Sequence, residues 1–527
     1  MSDSGAETVP TAVATDAEKS QPRPDHAAPH DYLDAVTEQG LVEDSALVAK
    51  NPMQRWAQRL EQLAGLEARG IERVPESMRA QKTAFADYVQ MCLIWFSANL
   101  TANNLTIGLL GPSVFYLGLK EAMIIGTFGT LLGSMGTGYI SSFGPKSGNR
   151  TLVFARYTMG WWPSKLCVLL NIVIMLGYGL IDCLISGQIL SAVAGGSMTV
   201  IVGTIISAII TLIVAVFGIR LFHIYERYAF LPQACVMFIL AGVAGPYFAP
   251  DSPSTGTSVE ITADRMSFFF LCVSAPIAWA PAACDFYVYF PPSAKRWAVF
   301  ACTTIGLGLS SIFVVLLGVG LASGATARSD WADASDVSAG ALIQIAFAPL
   351  GAFGNFCSVI VALGLIANNI PGTYSASICV QILGRGFAAV PRVLWSILGV
   401  IVYTVCACAG RNHLYEVFED FLALMGYWVA IWIAITIEEE LIFRKGTKGY
   451  DWRAWNRPDK LPLGLAALAA FLIGWVGAIL CMWQVYFTGP ISRMVGEGID
   501  MGMPVGASWA ALTYPGLRWL ELKFIGR

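Results

Sequence analysis

Hydrophobic and polar positions divide the chain at about residue 85. Before it, polar residues dominate and no apolar run is long enough to span a bilayer; after it, apolar runs follow one another to the C-terminus. A helix needs roughly 20 apolar residues to cross the hydrocarbon. That ruler marks twelve spans, at about 88–115, 120–141, 166–193, 198–218, 227–247, 267–289, 298–322, 351–383, 391–409, 413–437, 461–484 and 502–520. The first and eighth are long, and both are expected to be interrupted. In the polar part, the first forty residues are rich in Ala, Pro, Ser, Thr and acids, which predicts disorder. Met53, Trp56, Leu60, Leu63 and Leu66 then recur at helical spacing with Arg55 and Arg59 between them. They predict an amphipathic helix, lying either on the protein's own cytoplasmic face or on lipid. No charged segment followed by a short apolar one opens the chain, so no cleavable signal peptide is expected.

Composition agrees with a protein whose solvent is largely lipid. The 527 residues are 56% hydrophobic and 13% charged, with a mean hydropathy of +0.60, whereas about a quarter of a soluble chain is ionisable. With 33 Lys+Arg against 36 Asp+Glu there is no basic excess, which argues against a nucleic-acid partner. The twelve Cys are scattered without a C-x-x-C pair, and His26, His30, His223 and His413 share no ligand spacing; neither a disulfide scaffold nor a protein-built metal site is expected. Basic residues also set the orientation. Starting with the N-terminus inside, the inside loops hold sixteen Lys and Arg and the outside loops five, Lys120, Arg265, Arg328, Arg411 and Arg493. Both termini are therefore expected to be cytoplasmic.

Polar groups and helix breakers inside the spans carry the chemistry. Span 1 places Asn99, Asn103 and Asn104 at mid-membrane depth, where amides are costly unless they face a cavity or each other. Span 6 carries Pro276 and Pro281 on either side of Trp279, followed by Asp285; two prolines remove two helix donors and free carbonyls at depth. Span 8 contains Asn368-Asn369-Ile370-Pro371-Gly372. Spans 1 and 6 hold equivalent places if the first ten helices are two repeats of five, the pattern of an inverted-repeat transporter with a midplane site. Span 3 holds Asp182, with Tyr178 one turn earlier on the same face. A carboxyl at that depth is costly to charge and is read as functional, a proton acceptor or a partner for a donor-rich substrate; the alternative is a protonated Asp bonded to a neighbouring helix. Trp279 offers a stacking platform for a flat ring, against the blander role of packing. Asn368 and Asn369 could read a heterocycle or satisfy carbonyls freed by Pro371. Asp285, near the cytoplasmic end, suits a structural hydrogen bond or a gate contact. Gly126, Gly129, Gly133 and Gly136 form a close-packing face on span 2.

Three stretches together resemble the nucleobase:cation symporter-1 (NCS1) family, in its fungal purine-cytosine permease branch. They are Trp279 six residues before Asp285-Phe286, the Asn368-Asn369-Ile370-Pro371 segment, and Tyr514-Pro515-Gly516-Leu517-Arg518-Trp519-Leu520-Glu521. The resemblance covers nearly everything after the N-terminal tail. It implies a LeuT-type core of 5+5 helices plus two C-terminal helices, and uptake of a flat nitrogenous ring across the plasma membrane. It also implies stacking on Trp279 and a second contact from Tyr178 and Asp182. Cytosine and purine permeases favour Trp and Asn at those last two places and an Asn where Gly372 stands; span 1 has Asn103 and Asn104 where a small hydroxyl is common. The carboxylate favours a substrate with more donors or a cationic one, such as pyridoxine. Sodium-coupled relatives use hydroxyls in span 8, and Val359–Ile366 has none, so proton coupling with Asp182 as carrier is expected.

The reading is thus an all-α polytopic membrane protein of twelve helices: a cytoplasmic tail (1–85), an inverted-repeat transport core (86–437), and a loop with the last two spans (438–527). The expected function is proton-coupled import of a purine- or cytosine-type nucleobase by alternating access, with no cofactor, no metal and no enzymatic activity. Trp279, Tyr178, Asp182, Asn368, Asn369 and Asn104 are the expected substrate contacts; Pro276, Pro281, Pro371, Gly372 and Asp285 mark breaks and gates. A pyridoxine transporter is the alternative within the family, and a non-transporting nutrient sensor the alternative outside it.

Overall fold

The computed structural model describes residues 71–217, 219–496 and 498–527, and the expected disordered tail and amphipathic helix lie outside them. Sixteen α-helices of eight or more residues occupy most of the described residues. They are α1 (Phe85–Asn99), α2 (Ala102–Ser113), α3 (Leu119–Ser141), α4 (Thr151–Met159), α5 (Ser164–Val193), α6 (Val200–Phe217), α7 (Ile219–Ala244) and α8 (Ser258–Ile277). Then come α9 (Arg296–Ala327), α10 (Ser329–Val337), α11 (Ala339–Ala346), α12 (Ala352–Ile382), α13 (Arg392–Ala409), α14 (Leu414–Glu438), α15 (Leu465–Cys481) and α16 (Gly502–Phe524). An antiparallel hairpin, β1 (Trp483–Gln484) with β2 (Phe487–Thr488), joins α15 to α16, with Trp483 opposite Thr488.

Six of the helices are long and apolar enough to cross a bilayer: α5, α8 with its 3₁₀ continuation to Tyr287, α9, α12, α13, and α14 with its π-turn to Phe443. Helices also occupy the other apolar segments. One of these, α3, owes its lower hydropathy to the glycines and hydroxyls that let it approach its neighbours. A Cβ on Gly133 would stand 2.2 Å from the Val273 carbonyl oxygen, and one on Gly129 2.7 Å from that of Phe269, so α3 lies backbone to backbone on α8. The same device seats α2 on α9, where a Cβ on Gly108 would meet the Val315 carbonyl at 2.0 Å.

The interruptions differ from expectation in one place. Span 1 is broken: Leu100 leaves helical geometry (ψ 56°) and Thr101 is extended, so these two residues separate the end of α1 from the start of α2. Span 6 passes from α-helix into a 3₁₀ segment, Ala280–Tyr287, at Trp279. Span 8 is not broken, because α12 runs through Pro371 and Gly372 as one helix of 31 residues. A proline removes one donor and crowds the preceding turn, and a helix packed on both sides absorbs this without unwinding; α12 is held along its length by α5 and α13.

Two apolar cores fill the molecule, one around Phe143, Phe154, Tyr287 and Trp432, the other around Leu105, Phe268, Val315 and Phe418. Tyr178 and Phe421 pack against both. The loops rich in Lys and Arg gather beyond the first core, where Lys146 donates to Thr447 Oγ1 (3.0 Å) and Arg156 to the Trp455 carbonyl (3.0 Å). Arg79, buried just before α1, ties residues 74–79 to this basic end through the carbonyls of Val74 and Pro145. Burial lowers the pKa of its guanidinium to about 10.

Candidate functional site

The two cores meet where span 1 is broken, span 6 changes helix type and α5 and α12 cross. The break in span 1 is stitched by its own asparagines. Asn104 Nδ2 donates to the Asn99 carbonyl across the gap (2.8 Å), while Asn103 Oδ1 accepts from Thr101 Oγ1 (2.5 Å) and from the Asn104 N–H (2.7 Å). These amides therefore do for the backbone what water cannot do at that depth. In span 6, carbonyls around the break are met by side chains: Tyr178 donates to Ala275 O (3.4 Å) and Thr137 to Pro276 O (2.6 Å).

Aromatic rings surround the crossing. Trp279 stands edge-on to Trp95, centroids 6.0 Å apart at 88°, and Trp95 packs on Phe286 at 4.6 Å. Trp279 remains partly accessible while Trp95 is fully buried. Tyr178 meets Phe421 of α14 edge-on at 5.4 Å and 88°. That contact needs Gly177, since a Cβ there would stand 2.0 Å from the Phe421 ring.

The polar centre is Asp182, 1% exposed, whose Oδ2 accepts from Asn368 Nδ2 at 3.1 Å. Asn103 approaches the same carboxyl from α2. Asp182 Oδ1 and Asn368 Oδ1 are buried without a hydrogen-bond partner. Asn369 points elsewhere. Its Nδ2 lies 3.4 Å from both the Gly179 carbonyl and Cys183 Sγ, and its Oδ1 accepts from Thr373 (3.4 Å), which in turn meets Tyr403. The adjacent asparagines thus divide between the crossing and the α5–α12–α13 contact.

Asp285 sits away from this centre, at the basic end. Its Oδ1 accepts from the backbone N–H (2.7 Å) and hydroxyl (2.8 Å) of Thr151, at the first turn of α4, and its Oδ2 pairs with Arg150 at 3.3 Å. It caps α4 and couples that helix to the end of span 6. Among the described residues no three His, Cys, Asp or Glu side chains group as metal ligands.

Sequence reasoning brought Asp182, Tyr178, Asn368 and Trp279 to this region and missed Trp95 and Phe421. Trp95 could have been found, since it lies one turn before the first asparagine of the break. Phe421 had no signal beyond being one of many apolar residues in its span.

Broken helices, buried amides and a carboxyl between two dry cores define a polytopic membrane permease. Residues 73–489 match the family described as permeases for cytosine/purines, uracil, thiamine and allantoin. The chain is 34% identical to the purine-cytosine permease fcyB of Emericella nidulans, over 89% of this chain and 92% of that one. It is 30% identical to the vitamin B6 transporter TPN1 of Saccharomyces cerevisiae over 90% of each. Its fold is similar to that of Mhp1, a nucleobase-cation-symport-1 family transporter seen closed with bromovinylhydantoin bound; the TM-score is 0.61 at 14% identity, covering 83% of this chain and 92% of Mhp1. The chain belongs to the nucleobase:cation symporter-1 family, and it is a transporter, not an enzyme.

Proposed function

We propose that the chain imports a purine- or cytosine-type nucleobase across the plasma membrane by alternating access, coupled to protons. In this reading twelve spans form a 5+5 inverted repeat with α15 and α16 added, and both termini and the basic end face the cytoplasm. Trp279 and Tyr178 hold the ring, Asp182 and Asn368 read its edge, and Asn104 and Asn369 hold the surrounding helices in place. Asp182 carries the coupling proton, being the one carboxyl at the crossing among the described residues. The observation that carries the reading is the buried Asp182–Asn368 pair with two oxygens lacking donors, beside the aromatic group of Trp279 and Trp95. Similarity to purine-cytosine permeases supports the nucleobase. Pyridoxine is the second reading, favoured by the carboxylate at 182 and by the likeness to a vitamin B6 transporter.

Uptake of labelled cytosine, adenine, hypoxanthine and pyridoxine, in yeast lacking its own permeases, tests this at acidic and alkaline pH with and without a protonophore. Acid-stimulated, protonophore-sensitive uptake of a nucleobase is the expected result. Pyridoxine alone would move the assignment to the second reading. No flux, with the protein at the cell surface, would favour a sensor and end the import proposal.

A further inference from the structure

The crossing of α5 and α12 has more acceptors than donors. Asn368 gives its amide nitrogen to Asp182 Oδ2, and that bond fixes which way the amide faces: its oxygen is turned from the carboxyl. Asn103 approaches the carboxyl from α2 without closing a hydrogen bond to Oδ1, so Asp182 Oδ1 and Asn368 Oδ1 remain two buried acceptors without a hydrogen-bond partner. Leaving such groups unmet is costly, and native structures seldom do so without a ligand or water to complete them. The titratable neighbours, Tyr178 and Cys183 on the same helix and Tyr403 on α13, are turned to other partners. Tyr178 donates to Ala275 O, Tyr403 meets Thr373, and the Cys183 sulfur faces Asn369.

We propose that this pair selects flat ligands whose ring edge presents two adjacent hydrogen-bond donors, one to Asp182 Oδ1 and the other to Asn368 Oδ1. The inference rests on the crossing being the substrate site. An asparagine at 182 would be indifferent, because an amide turned over offers either a donor or an acceptor; a carboxylate offers acceptors only. Guanine meets the requirement with its ring N1–H and 2-amino group, and pyridoxine with its ring hydroxyl and adjacent hydroxymethyl. Neutral cytosine meets it when one proton joins ring N3: the N3–H then faces Asp182, the 4-amino group faces Asn368, and the cation and carboxylate sum to zero. That proton, held between ring N3 and Asp182, is the coupling proton assigned to Asp182 above, and it enters with the ring and leaves with it. Uracil and hypoxanthine set a carbonyl beside their N–H and bring an acceptor against an acceptor.

Three pairs differing in that one donor test the inference on the full chain in yeast lacking its own permeases: cytosine with uracil, guanine with hypoxanthine, and pyridoxine with 4-deoxypyridoxine. Within whichever pair is carried, the two-donor member should be preferred by about tenfold or more. The cytosine preference should grow as the medium is acidified and the guanine preference should not. Asp182→Asn should flatten the ratio with the protein still at the surface; if that variant does not reach the surface, the wild-type ratios decide alone. Equal uptake within the carried pair overturns the two-donor rule and leaves the transport reading standing. No uptake from any pair, with the protein at the surface, overturns both.

Discussion

Asn368 and Asn369 are separated by one peptide bond and about 100° of helix rotation, and that rotation gives them different work. Asn368 faces Asp182 with one oxygen unmet, whereas Asn369 lies 3% exposed among Gly179, Cys183 and Thr373. Asn368→Ala should therefore raise the KM for uptake by about tenfold or more, with the amount of protein at the cell surface unchanged. Asn369→Ala should do the reverse: a lower unfolding temperature in detergent, equivalent to roughly 1–3 kcal/mol, and an unaltered KM in the protein that remains. A KM effect in Asn369→Ala equal to that in Asn368→Ala would remove the distinction. The sequence put both residues at the crossing but could not separate them, since adjacent positions share the same hydropathy window and the facing partners come from chain segments almost two hundred residues away.

At the scale of helices, legibility followed the backbone. The breaks in spans 1 and 6 could be read because their residues are incompatible with a lipid-exposed helix: three amides in one case, two prolines about a tryptophan in the other. Pro371 misled because proline alone does not unwind a helix that neighbours hold on both sides. The glycine face of α3 was legible as small residues at helical spacing, although its partner, α8, was not. Its tightest point gives a prediction. In Gly133→Ala the new methyl meets the Val273 carbonyl, a backbone atom that cannot swing aside, and the helices must separate at a cost of about 1–3 kcal/mol. Gly242→Ala on α7 meets nothing within 4 Å and should be neutral or stabilising by about 0.4–1 kcal/mol. Thermal unfolding of the two variants in the same detergent checks the contrast.

Across the whole molecule, the last two helices are joined to α14 at both of its ends. At the basic end Glu439, fully buried, accepts from Tyr514 (2.8 Å) and Arg518 (3.1 Å) of α16 and pairs with Arg444, while Glu521 caps the start of α15 through the N–H groups of Gly464 and Leu465. This explains the Tyr514–Glu521 motif as an anchor. Its acidic partner was hidden from the sequence reading because it falls just past the end of the marked span. At the opposite end Asp420 accepts from the Val485 N–H, and Asp500 accepts from Tyr427 and Gln484. Arg518→Met should destabilise the protein by about 3–5 kcal/mol, since two buried carboxylates, Glu439 and Glu521, each lose a cation they pair with. Adding Glu439→Gln together with Glu521→Gln should recover much of that loss, as read by size-exclusion thermal stability; no recovery would mean that Arg518 acts through packing alone.

The double fastening of α14 has a consequence for the medium around the protein. Phe421, which covers Tyr178, belongs to a helix that cannot shift without α15 and α16 travelling along. Those helices turn Leu472, Val476, Leu512 and Phe524 outward, where acyl chains lie. In the proposed transport cycle, uncovering the crossing by way of α14 therefore means ploughing through lipid, so the viscosity and lateral pressure of the bilayer become part of the load against which each turnover works.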